Sequence, residues 1–322
     1  MLGLLGRIML NPIIPVPTMA VICVVLIIFK RRGVIPYIRQ ILAVLLLFLI
    51  NLRPMYPSEN VKVQRQKMDL NVVFVVDDTI SMLADDQPDY ENRLERVKSD
   101  MNYIIDNLPG AKFSIVCFNN YTHVLTPYTD SLDYVRNAID SIYPLSPYYA
   151  TGTNINICLD TLTTVLTTGR ESSGTVNTVM FVMSDGENTN DRVMESFSKL
   201  EHSLSGGAVL GYGTERGGHM YYYNSIQDRI EIVMNRNTNP PSEGISKLNE
   251  ENLQSIATDL DLPYMNMAND GNLDPILQNM MENYLTEPEE VTRRGYTDIY
   301  YILVIPLVAL TAYEFISLKR RG

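Results

Sequence analysis

Hydrophobic positions along the chain fall into two patterns: long apolar blocks at the ends, and short apolar runs alternating with helical periodicity between them. Residues 12–29 are apolar apart from Thr18 and precede Lys30, Arg31 and Arg32. Residues 34–52 form a second block, with Arg39 and Gln40 near its start, and 300–318 a third, ahead of Lys319, Arg320 and Arg321. Each approaches the ~20 residues that cross a ~30 Å hydrocarbon core as a helix. In the middle, residues 70–76 read as a strand buried on both faces. Leu94, Val97, Met101, Ile104, Ile105 and Leu108 recur at helical spacing and stop at Pro109-Gly110. A strand at 113–118 with a hairpin partner at 122–125 follows, then a helix through Leu132, Val135, Ile139 and Ile142. Further on come a helix opening at 151–154 and running to about 168, a buried strand at 179–183, a helix near 191–204 and a strand at 208–212. The long stretch 213–246 holds one possible strand at 229–234. A helix through Leu253, Ile256, Ala257 and Leu260, a short strand at 264–267 and a helix at 272–285 complete the series.

Strands alternating with helices imply βαβ units, so the fold class is α/β with a doubly wound, mostly parallel, Rossmann-like sheet flanked by three transmembrane helices. The expected division is 1–33 (tail and first span), 34–56 (second span), 57–69 (linker), 70–286 (α/β domain), 287–298 (acidic linker) and 299–322 (third span and basic tail).

Charge sharpens this picture. Residues 57–292 hold 15 basic and 35 acidic side chains, a net charge of about −20, whereas the ends together carry about +9. So acidic a middle argues against nucleic-acid binding, which needs a basic footprint. The basic clusters that follow the first and third apolar blocks belong in the cytoplasm by the positive-inside rule. The first two spans then form a hairpin, 57–295 lies outside, and the C-terminus is cytoplasmic; Tyr296, Tyr300 and Tyr301 sit where an outer aromatic belt is expected. A cleaved signal peptide is the alternative for the first block, but its basic cluster follows the apolar run and three prolines interrupt it. Arg39 and Glu314 are expected to snorkel, with a mutual pair as the alternative. Cys23, Cys117 and Cys158 show no paired spacing and read as free buried thiols.

The candidate chemistry begins where the first strand of the middle ends. Asp77, Thr79 and Ser81 put one carboxylate and two hydroxyls on the loop leaving that strand, the place where open α/β sheets bind ligands. Oxygen-only donors suit a hard cation such as Mg²⁺. Thr153, in Gly152-Thr153-Asn154, and Asp185, in Ser184-Asp185-Gly186, are two more oxygen donors at a helix start and a strand end. The competing reading makes Asp77 and Thr79 helix caps and Asp185-Gly186 a turn. Asp78, Asp85, Asp86 and Glu187 are expected to be solvated loop charges. An EF-hand fails because Met82 and Pro88 stand where Gly and Glu are required, and no nucleophile elbow or Walker loop occurs. The histidines (His123, His202, His219) show no zinc-ligand spacing.

Asp77-x-Thr79-x-Ser81, a distant Thr153 and a distant Asp185 together resemble the metal-ion-dependent adhesion site of von Willebrand factor A domains, with Thr79 where serine is usual. The resemblance implies that Thr79 and Ser81 coordinate Mg²⁺ directly or through water, that Thr153 approaches from a second loop, and that Asp77 and Asp185 supply charge, often through water. Mn²⁺ or Ca²⁺ could substitute. An open coordination position would accept an acidic side chain of a protein partner. Apolar segments on both sides of such a domain, with Asn92-Arg93-Leu94-Glu95, Gly211-Tyr212-Gly213-Thr214-Glu215 and Leu248-Asn249-Glu250-Glu251-Asn252-Leu253, resemble the bacterial Bat-type aerotolerance proteins. That implies a non-enzymatic, membrane-anchored module in envelope assembly or stress tolerance beside a MoxR-type ATPase. The alternatives are a structural subunit that binds other membrane subunits and uses metal for stability, and an enzyme with an unrecognised nucleophile. The run Tyr221-Tyr222-Tyr223 reads equally as a recognition surface or as hairpin packing.

Overall fold

The computed structural model describes residues 9–29, 33–57, 61–147, 155–173, 177–188, 194–225, 227–235, 238–269, 271–293 and 296–319. The chain divides into two compact units, 65–289 and the two ends taken together (1–64 with 290–322).

The larger unit is built on six strands: β1 (Asn71–Asp77), β2 (Lys112–Phe118), β3 (Thr122–Thr129), β4 (Thr178–Ser184), β5 (Gly206–Gly211) and β6 (Tyr264–Asn266), in the order β6-β5-β4-β1-β2-β3. All neighbours are parallel except β2 and β3, which form an antiparallel hairpin. Every residue of β1 and β4 is buried, as their unbroken apolar runs predict. Alternation then assigns the faces. Val72, Phe74 and Val76 pack with helices α1 (Arg93–Asn107), α2 (Leu132–Asp140) and α5 (Asp274–Tyr284). Val73 and Val75 pack on the other face with α3 (Leu159–Ser173) and α4 (Glu250–Asp259). The rings of Phe113 and Phe181 flank Phe74 with centroids 6.0 and 6.1 Å away. Burying one such side chain contributes roughly 1.5–3 kcal/mol. Asn92 caps α1, its side chain accepting the Glu95 N–H at 3.0 Å. The predicted doubly wound sheet is therefore present, with β1 flanked by β4 and β2. The chain order reverses there, so the crevice past Asp77 and Ser184 is the topological switch point.

Three expectations are corrected. The supposed linkers contain strands: Val61–Met68 and Leu285–Arg293 pair as a two-stranded ribbon. A polar segment can satisfy its backbone by pairing with another, which a search for apolar runs overlooks. The helix expected near 191–204 is, among the described residues, a single 3₁₀ stretch at Ser198–Ser203, held by Phe197 and Leu200 packing on the sheet. The stretch 213–246 holds three small antiparallel ladders where one strand was expected: Gly218–His219 with Ile245–Ser246, Tyr221–Asn224 with Arg229–Ile232, and Met234–Asn235 with Ser242–Glu243. The three cysteines are free and buried.

The smaller unit contains the apolar helices Val16–Ile28, Val34–Asn51 and Tyr301–Lys319, and a three-stranded sheet of Met9–Leu10, Pro54–Pro57 and Tyr296–Asp298. Among the described residues one helix, Val34–Asn51, is long and apolar enough to cross a membrane; Val16–Ile28 and Tyr301–Ser317 are apolar but shorter. Prolines at 12, 15 and 17 explain the first shortfall, since proline is tolerated in a helix's first turn and breaks its interior. Arg39 does not simply snorkel: its Nε donates to the Glu314 carboxylate, and its guanidinium lies 5.1 Å from the centre of the Tyr313 ring. Arg53 holds Asp298 through two bonds of 2.9 and 3.0 Å.

Candidate metal centre

Four of the five residues singled out from the sequence can be placed, and all four lie at the switch point. Asp77 ends β1, Thr79 precedes the 3₁₀ turn Ile80–Leu83 that carries Ser81, and Asp185 follows β4. Thr153 lies outside the described residues. Asp77 is fully buried. Its Oδ1 accepts the Thr79 hydroxyl at 2.6 Å and the Thr79 N–H at 3.0 Å. Ser184 donates its hydroxyl to Oδ2 at 2.6 Å and accepts the Gly186 N–H at 2.9 Å. The Thr79 and Ser81 hydroxyl oxygens are 2.8 Å apart. Burial, and after it the nearby charge of Asp185, push the Asp77 carboxyl up to about 8, against the bonds from Ser184 and Thr79.

Asp185 is held from the other side. Its Oδ1 accepts the Glu187 N–H at 3.0 Å, and its Oδ2 accepts Arg93 Nη1 at 2.7 Å and the Ser246 hydroxyl at 3.4 Å. Arg93 is fully buried and also grips Asp86 through two bonds of 2.7 and 2.9 Å. The same guanidinium donates to the Ser246 carbonyl at 2.9 Å and the Ser246 hydroxyl at 2.7 Å. Asp86 in turn accepts the Thr214 N–H at 2.8 Å. Burial works against the ionised form of Asp86, but the Arg93 bonds prevail and hold its carboxyl below the usual range. Gly213 is required here: it sits at φ +121°, and a Cβ would lie 2.7 Å from the Arg93 guanidinium.

The supposedly solvated acids therefore need correction. Asp86 is an ion-pair partner of a buried arginine. Asp78 is 4% exposed and accepts the Asn119 amide at 2.9 Å; burial lifts it to about 6. Glu187 accepts the Lys247 N–H at 2.8 Å, and burial, then Asp185, lift it to about 7. Asp85 is exposed, as expected, though it accepts the His219 N–H at 2.7 Å. Arg93 and Thr214 stand in the sequence only within the Bat-like phrases, and Ser246 in none; none of the three is assigned to the site from sequence. Arg93 looks like any charged first residue of a helix, and Ser246 lies 153 residues beyond it.

Asp86, Asp185 and Glu187 thus gather around one guanidinium, and Asp77 lies within electrostatic reach of Asp185, leaving the locality short of positive charge. The donor set is all oxygen, so it fits a hard cation. The hydroxyls of Thr79 and Ser81 could contact the ion directly. Each carboxylate oxygen of Asp77 and Asp185 already accepts a bond from the protein, so these acids would act through water, which Mg²⁺ retains readily.

Residues 72–187 match the family model for the von Willebrand factor type A domain. The chain is similar in fold to BatB from Bacteroides thetaiotaomicron, at 22% identity and a TM-score of 0.53, over 66% of this chain and 97% of that one. It is also similar to an aerotolerance-related membrane protein from Bacteroides fragilis, at 21% identity and a TM-score of 0.50, over the same shares of 66% and 97%. No curated protein matches the chain.

Proposed function

We propose that the von Willebrand factor type A domain of this chain is a membrane-anchored, Mg²⁺-dependent binding module that recruits an acidic group of a protein partner outside the cytoplasm. The observation carrying this reading is the run of hydrogen bonds from Asp77 to the Thr79 hydroxyl and on to the Ser81 hydroxyl at the switch point, beside three carboxyl groups gathered on one guanidinium. A divalent cation would relieve the repulsion between Asp77 and Asp185. Thr79 and Ser81 would hold it, the resemblance adds Thr153, which lies outside the described residues, and an acidic group of the partner would complete the coordination. Mn²⁺ or Ca²⁺ could replace Mg²⁺. Beside the turn carrying Ser81 lies a cleft of about 640 Å³ lined by Leu83, Tyr143, Pro144, Tyr222 and Tyr223. Rigid aromatics next to a charge-reading centre are what an interface anchor needs.

The chemistry is binding and not catalysis. An activated cysteine needs a lowered pKa and access to substrate. Cys117, near His123 and Asp78, has zero exposure, and burial pushes its thiol well up. Anchoring rests on the helix Val34–Asn51, whose Leu42, Leu45 and Leu49 are exposed, and on the two shorter apolar helices. With three spans and both basic clusters in the cytoplasm, as the positive-inside rule expects, the domain would lie on the extracytoplasmic side. The sequence phrases that resemble Bat-type aerotolerance proteins, in a fold similar to an aerotolerance-related membrane protein, extend the proposal to envelope assembly or stress tolerance alongside a MoxR-type ATPase.

Recovery of partners on the full-length protein with and without chelator tests this. The proposal expects partners that depend on Mg²⁺ and vanish in Asp77→Ala combined with Asp185→Ala. Partners that survive both treatments would favour the alternative, a structural subunit whose spans do the binding.

A further inference from the structure

On the opposite side of β1 from Asp77, three potential metal ligands of a different chemical kind converge. Asp78 follows β1, Cys117 lies near the end of β2, and His123 pairs with Cys117 across the β2–β3 hairpin. A carboxylate oxygen, the thiol sulfur and a ring nitrogen all lie within 4.8 Å of one another. Cys117 is fully buried and Asp78 is 4% exposed. Two buried atoms of this group, Asp78 Oδ1 and His123 Nδ1, have no hydrogen-bond partner among the described residues. Buried polar atoms are rarely left so, and each costs free energy unless something binds it. The other Asp78 oxygen is fixed by the Asn119 amide at 2.9 Å, and Asn119 is itself held in the hairpin turn by the Tyr121 carbonyl, which accepts its N–H at 3.0 Å. The Tyr121 ring packs against His123 with centroids 5.5 Å apart.

We infer that Asp78, Cys117 and His123 form a second metal site, selective for Zn²⁺ or a similar borderline transition-metal ion and distinct from the oxygen-only site at Asp77. Thiolate, imidazole and carboxylate together suit such ions, and Mg²⁺ poorly. Tetrahedral zinc with bonds of 2.0–2.3 Å places its ligand atoms roughly 3.3–3.8 Å apart, a contraction reachable by side-chain adjustment. The ion displaces the thiol proton to solvent. One thiolate, one carboxylate, a neutral imidazole and a divalent ion sum to zero charge, which removes the cost of an unpaired buried carboxylate. Three protein ligands leave a fourth position for water. His123, only partly buried on the edge strand, is the side from which the ion enters. Asn119 is a positioning residue for Asp78. Local spacing hides the site, because its ligands come from three separate strand ends.

Co²⁺ titration of the full-length protein in detergent, with Mg²⁺ in excess to fill the oxygen site, tests the inference. The expected result is one equivalent of Co²⁺ with a thiolate-to-cobalt charge-transfer band, displaced by Zn²⁺. Cys117→Ser abolishes the band, and Asn119→Ala weakens binding on the order of 10–100-fold. His123→Gln, at a partly exposed position, loses binding while keeping the wild-type thermal midpoint, which separates ligand loss from misfolding. The inference is overturned if the wild-type protein shows no charge-transfer band, or if Cys117→Ser retains one through Cys23 or Cys158. Because the oxygen site has no sulfur ligand, either failure leaves the Mg²⁺ proposal standing.

Discussion

Arg93 is the residue on which the candidate centre turns. It is the fully buried cation between Asp86 and Asp185, and removing it strands two carboxylates. Breaking a buried pair from one side costs about 3–5 kcal/mol, so Arg93→Met should lower the thermal midpoint sharply. Adding Asp185→Asn to that variant should recover part of the loss; no recovery would show that the cost is packing alone. The acids predict a pH dependence for the metal-free protein. Asp77 is raised from an ordinary 3.8 to about 8 in the folded state. Between those values the folded state holds the proton and the unfolded state does not, so stability falls as pH rises from about 4 to about 8. Asp78 and Glu187, lifted to about 6 and about 7, act in the same direction. Thermal unfolding in chelator should show this decline, and Mg²⁺ should raise the midpoint more at pH 8 than at pH 5. A midpoint that rises with pH over this range would contradict the assignment of Asp77.

Among the elements, β1 and β4 were legible because a strand buried on both faces has no polar alternation to mislead the reader. Their ends were legible for the same reason: an acid directly after such a run is conspicuous. The 3₁₀ turn at Ser198–Ser203, the paired ribbon and the ladders within 213–246 were not, since their stability comes from packing and pairing that no local period records. The ion pair of Arg93 with Asp185 was equally hidden, linking residues 92 positions apart. The turn after β4 supplies a test. Gly186 has φ +71°, and a Cβ there would meet the Asn249 carbonyl at 2.5 Å. Gly186→Ala should cost about 1–3 kcal/mol in stability and, by shifting Asp185, weaken Mg²⁺ binding as well. Unchanged metal affinity in a destabilised Gly186→Ala protein would remove Asp185 from the metal-binding set.

For the whole molecule, charge segregation and apolar ends agree with a membrane-anchored acidic domain. The helix Val16–Ile28 is shorter than the apolar run at 12–29 because Pro12 and Pro15 stand before its first turn. Protease added to intact cells should digest the 65–289 unit if the domain is extracytoplasmic, and digestion only after lysis would invert the proposed topology. The central claim is the Mg²⁺ site itself, and calorimetric titration of the full-length protein in detergent with Mg²⁺ and Mn²⁺ addresses it most directly. The account predicts one equivalent bound by the wild-type protein and none by Ser81→Ala at the same concentrations. Absence of binding at millimolar Mg²⁺ and Mn²⁺, or equal binding by the variant, would contradict it.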